Sequence, residues 1–95
     1  MNVTEFRQTL SQQSPPEGIS PLVKALWYDA KGNWEAAHDI AQSQEGTKDY
    51  DHLHAYLHRV EGDEWNAGYW YRRAGLGFPQ VSLEKEWEQL IQQWL

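Results

Sequence analysis

Two glycine turns set 30 residues apart constrain this chain more than any other feature. Gly32-Asn33 and Gly62-Asp63 each interrupt a stretch of helical apolar spacing, and at the same offset Ala25 matches Ala55 and Ala37 matches Ala67. A glycine supplies the left-handed end of one helix, and Asn or Asp beside it caps the next. The recurring unit is therefore helix, glycine turn, helix, with small residues where two helices approach closely. Two such αα-hairpins bury too little surface alone, so the flanking segments must cover them.

Those segments read as helical too. Asn2 and Glu5 have the spacing of a capping box ahead of a helix from Val3 to about Gln12, and Pro15-Pro16 ends that stretch. Ser20-Pro21 opens the second helix, Asn33 caps the third and Thr47 the fourth, which carries Tyr50, Leu53, Leu57 and Val60. Asp63 caps a fifth helix, Glu64 to Ala74, and Gly75-Leu76-Gly77-Phe78-Pro79 stops it. Ser82 caps the last, with Leu83, Trp87, Leu90, Ile91 and Trp94 on one stripe. The spacing predicts an all-α fold of about six helices: two consecutive αα-hairpins, an N-terminal helix and a C-terminal amphipathic capping helix. One domain spans 1–95, divided into 1–19, hairpins at 20–45 and 47–77, and the cap at 82–95.

At 95 residues, a single core buries a little over ~60% of the unfolded surface. Six tryptophans and five tyrosines, at ~150–250 Å² each, offset the small size. With 14 acidic against 8 basic side chains the net charge is −6. The one local basic cluster is Arg59, Arg72 and Arg73, so neither nucleic acid nor an anionic membrane is an expected partner. The absence of cysteine rules out disulfides, thiolate metal sites and a cysteine nucleophile. There is no signal-peptide pattern and no apolar run of ~18–20 residues, so a cytoplasmic location is expected. No phosphate loop, Gly-x-Ser-x-Gly elbow or His-Glu-x-x-His signature occurs, so neither an enzyme nor a cofactor is expected.

Gly62, Ala67, Tyr71, Ala74 and Pro79 in the second unit, with Ala25, Tyr28, Gly32 and Ala37 in the first, resemble the tetratricopeptide repeat. The likeness covers 21–79, and 82–95 looks like that family's closing helix. Blocks such as Leu26-Trp27-Tyr28-Asp29-Ala30 and Tyr69-Trp70-Tyr71-Arg72-Arg73 are also similar to small uncharacterised bacterial proteins. The period is 30 rather than about 34, and Asp51 and His54 stand where the repeat has large apolar residues. The resemblance implies a module that holds a protein or peptide on the inner side of its first helices. On the fourth helix that side carries His52, Tyr56 and Arg59.

Other residues suit other ligands. His54 and His58 are i,i+4 neighbours flanked by Asp51 and Glu61, the spacing of a chelating pair for zinc or a similar ion. The same pattern also describes a partly buried histidine stripe bonded to carboxylates and tyrosines. Trp65, Tyr69 and Arg72 share a side of the fifth helix with Arg73 beside them, which is either covered by a neighbour or open to a partner, a second copy of the chain included, or to a small molecule whose carboxylate the two arginines would grip. The run Glu84, Glu86 and Glu88 reads as a solvated face.

Overall fold

The computed structural model describes residues 1–95, which form six α-helices and no strand. In chain order these are α1 (Val3–Gln8), α2 (Pro21–Ala30), α3 (Trp34–Gln42), α4 (Lys48–Val60), α5 (Glu64–Arg73) and α6 (Leu83–Trp94). Most begin at side chains that accept the free N–H groups of a first turn. Asn2 and Glu5 complete the capping box of α1, Ser20 accepts from the Val23 N–H, and Ser82 from the Lys85 N–H. Pro21 occupies the first position of α2, where no N–H is needed. The first helix is shorter than its apolar spacing suggests. The Thr9 hydroxyl donates to the Phe6 carbonyl at 2.6 Å, and Thr9–Ser11 tighten into a 3-10 turn.

The two glycine turns are bonded alike. Asn33 N–H donates to the Tyr28 carbonyl at 2.8 Å and Gly32 N–H to Asp29 at 2.9 Å; Asp63 N–H donates to His58 at 2.9 Å and Gly62 N–H to Arg59 at 3.1 Å. This closure needs a left-handed residue, and Gly32 and Gly62 both have φ of +83°. Asn33 then accepts from the Ala36 N–H and Asp63 from the Asn66 N–H. One dipeptide thus ends a helix and starts the next. Ala25, Ala37, Ala41, Ala55 and Ala67 are completely buried, and small side chains of this kind let α2 pack on α3, α3 on α4 and α4 on α5.

Helix α6 does not extend the stack beyond α5. It turns back and lies against α1, α2 and α4, joining Phe6, Leu26, Trp27, Leu53 and Leu57 in one core through Trp87, Leu90 and Ile91. Burying Leu90 and Ile91 contributes ~1.5–3 kcal/mol each. The Trp87 indole N–H donates to the Leu26 carbonyl at 3.1 Å, and its ring lies 5.9 Å from Phe6. The cap therefore covers the first helix of both hairpins.

That placement corrects the reading of the acidic run. Glu86 is only 3% exposed. Its carboxylate accepts from Arg59 Nη1 at 2.8 Å and from the Tyr71 hydroxyl at 2.7 and 2.8 Å, with His52 Nε2 at 3.3 Å. Burial alone raises such a carboxyl, but bonds from His52, Tyr71 and Arg59 outweigh it and hold Glu86 below its ordinary value. Arg59 also donates to the Val81 carbonyl, tying the start of α6 to α4.

Candidate metal centre

Three imidazoles meet where α3 crosses α4. His54 and His58 project from one side of α4, as i,i+4 spacing dictates, with rings stacked at 5.0 Å and 21°. His38 comes from α3, and its Nε2 lies 3.0 Å from His54 Nε2. One ligating atom from each of the three falls within 4.8 Å of the others. A tetrahedral ion with bonds of ~2.0–2.1 Å holds its ligand atoms about 3.3 Å apart, and the His38–His54 pair at 3.0 Å is already close to that spacing.

Aromatic walls fix two of the rings. Trp34 stacks on His38 at 4.6 Å and 13°, and Trp70 stacks on His54 at 3.9 Å and 19°. Trp34 is itself anchored, its indole N–H donating to the Leu57 carbonyl at 2.7 Å. His58 Nδ1 sits 3.1 Å from Glu61 Oε1, which fixes the tautomer and leaves Nε2 as the free donor.

The electrostatics favour neutral rings. Burial, followed by the charges of His38, His58 and Arg73, lowers His54 to about 4. Burial and then His58 lower His38 as well. Neutral imidazole is the ligating form, so at neutral pH neither ring carries a charge against an ion, and a shift of the shared proton to the other ring nitrogen frees both Nε2 atoms. His54 Nδ1 is buried and has no hydrogen-bond partner. An unpaired buried group of this kind costs ~1–3 kcal/mol, and such strain collects at functional sites.

The structure unites His54 and His58 and adds His38, which the spacing along α4 does not contain. Asp51 is buried and accepts from the Gly46 N–H at 3.1 Å, closing the α3–α4 turn away from the imidazoles. The signal for His38 is the turn itself. Residues 38 and 54 are equidistant from Gly46, so a helical hairpin closing there sets them face to face.

The surface read as a peptide groove is not free. His52 and Arg59 bond to Glu86 of α6, and the Tyr56 hydroxyl, 3.3 Å from Asp29 Oδ2, turns to α2. Helix α6 occupies the inner side of α4 that a peptide would need. Trp65, by contrast, is 75% exposed and stacks on Tyr69 at 6.4 Å. Arg73 lies over the rings of Tyr69 and Trp70 at 5.8 and 4.9 Å, and Arg72 is exposed beside it. No helix is long and apolar enough to cross a membrane. No family model, curated protein or solved structure matches the chain.

Proposed function

We propose that this protein is a metal-binding domain that takes a zinc-class divalent ion on His38, His54 and His58. The observation that carries it is the convergence of three imidazoles from two helices, with His38 Nε2 and His54 Nε2 at 3.0 Å. Three protein ligands leave a fourth position for water or an exogenous ligand, the pattern of a reactive rather than a closed structural site. All-nitrogen donors suit zinc, copper or nickel and disfavour calcium and magnesium. Because the ligands come from both hairpins, an ion also fastens α3 to α4.

The test is to strip the protein with a chelator and titrate in Zn²⁺, Co²⁺, Ni²⁺ and Cu²⁺ while following thermal unfolding. At about a hundred times its Kd, an ion that binds only the folded state adds ~2.7 kcal/mol. The gain should vanish in His38→Ala and in His54→Ala, and Co²⁺ should give the visible bands of a tetrahedral site. No stabilisation by any of the four ions rules the centre out.

A second reading rests on the outer face of α5. Trp65, Tyr69, Arg72 and Arg73 offer stacked rings beside two cations, a surface suited to an acidic peptide. The like-bonded hairpins support a tetratricopeptide-like arrangement for such a module. A glutamate-rich peptide should shift the indole fluorescence of wild type and not of Trp65→Ala. A Trp65→Ala variant that titrates as wild type does would set this face aside.

A further inference from the structure

On the side of α4 away from the imidazoles, α2, α4, α6 and the segment around α1 leave a cleft of about 330 Å³ between them. Its apolar wall is Leu10, Val60, Leu83 and Trp87, and two polar groups meet within it. The Tyr56 hydroxyl donates to Asp29 Oδ2 at 3.3 Å. Tyr56 is 3% exposed, and burial followed by the charge of Asp29 holds its phenol proton far above the ordinary range, so it stays a donor.

The Asp29 carboxylate is the group without a counterpart. It takes part in none of the chain's five ion pairs. A carboxylate offers about four acceptor sites, and one long hydrogen bond uses a single one of them. Arg7, the cation at the rim, is already engaged: it bonds to Glu88 at 2.7 Å, reaches Glu84 at 3.5 Å and rests over the Trp87 ring at 4.9 Å. Lys31, close in sequence, turns away to the carbonyls of Leu10 and Gln12. Burial accordingly holds the Asp29 carboxyl above its ordinary value, against the pull of the Tyr56 hydrogen bond.

We propose that this cleft binds a small organic amine, with its ammonium on Asp29 and its apolar body against Leu10, Val60, Leu83 and Trp87. A charge-assisted bond to Asp29 is about twice as strong as a neutral one and relieves a carboxylate that the fold leaves unpaired. An anion meets Asp29 and Glu84 and is repelled. A neutral apolar molecule fills the wall but leaves the carboxylate desolvated without a cation. The volume lies at the small end of ligand pockets and admits a body of one ring with a short chain.

The experiment is calorimetric titration of the full chain with phenethylamine, at neutral pH and with a chelator present, against 2-phenylethanol as the uncharged match. The chelator separates this cleft from the imidazole centre, where an amine could otherwise bind through a metal. The expected result is saturable binding of phenethylamine, at least about tenfold tighter than 2-phenylethanol. Asp29→Asn keeps the size of the side chain and should weaken the amine about tenfold. Leu83→Trp starts from a side chain 38% exposed and should close the cleft without unfolding the domain. Matching melting temperatures verify that both variants are folded. No binding up to about 10 mM, equal affinity for the two probes, or full affinity in Asp29→Asn each overturns the proposal.

Discussion

His38 Nε2 faces His54 Nε2 at 3.0 Å across the α3–α4 interface, so the pair holds one proton between the two atoms and resists a second charge. Both rings bind protons more weakly folded than unfolded, His54 at about 4 against 6.5. Their contribution to stability is therefore fully present above 6.5 and is lost as pH falls toward about 4. The free energy of unfolding should drop by about 2 kcal/mol between neutral pH and about pH 5. Glu86, held below its ordinary 4.5, loses its contribution only at lower pH, so it does not obscure this window. Urea melts across that range measure the drop, and His54→Gln should flatten it. A wild-type profile that is already flat would show that neither burial nor the neighbouring rings weaken proton binding here.

Glu86 and Arg59 form the second relationship open to a direct measurement. Glu86→Ala leaves the Arg59 guanidinium, 16% exposed, without its 2.8 Å partner and removes the acceptor of the Tyr71 hydroxyl. Breaking one side of a buried pair costs about 3–5 kcal/mol. Replacing both by apolar residues, Arg59→Met with Glu86→Leu, should cost much less than the two single changes added together. Equal and additive losses in this cycle would mean that the pair is not coupled.

The glycine turns give a prediction with an internal control. Gly32 and Gly62 have open space where a Cβ would stand, so the cost of alanine there is conformational alone. At φ of +83° it should be about 1–2 kcal/mol for each. Gly77 has equal space and no positive φ, and Gly77→Ala should change stability by less than about 0.5 kcal/mol. Urea midpoints for the three variants decide it.

Features set by local sequence were legible, and those set by distant segments were not. Caps and glycine turns depend on residues within five positions, and Asn2, Ser20, Asn33, Asp63 and Ser82 all act where their spacing places them. The stripe on α6 shows that this helix is covered, but it carries no information on which helices cover it. Its return onto α2 and α4 is settled by the long-range fit of Trp87 against Phe6 and Leu26. For that reason His52 and Arg59 end on Glu86 instead of facing a partner. Glu86 itself left a trace that could have been read. A step of two residues turns ~200° round a helix, so Glu84 and Glu88 share a face with Arg7 while Glu86 points the other way. His38 does not show in the spacing along one helix, because here the ligand spacing runs across a turn.

The outer face of α5 should be neutral toward folding. Trp65 stacks on Tyr69, and its exposure of 75% leaves it little burial to lose. Trp65→Ala and Arg72→Ala should each shift stability by less than about 0.5 kcal/mol. A loss above about 1 kcal/mol in thermal or urea unfolding would place these side chains in the core and remove them as a binding face.

Glu61 tests the proposed metal centre from outside its three imidazoles. It stands 3.1 Å from His58 Nδ1 and is not one of the three clustered imidazoles. By accepting the Nδ1 proton it fixes the tautomer and the orientation of the ring, leaving Nε2 as the nitrogen that could ligate. Glu61→Gln keeps the length of the side chain but replaces a charged acceptor with a neutral amide, which holds the tautomer less firmly. Zinc affinity, measured by competition with a chromophoric chelator, should fall about 10- to 100-fold. Folding should change little, because Glu61 is exposed at the end of α4. Loss of affinity with an unchanged apo melting temperature would separate a positioning role from a structural one. Unchanged affinity would mean that His58 is oriented by packing alone, against the His54 ring at 5.0 Å and Trp34 at 5.9 Å.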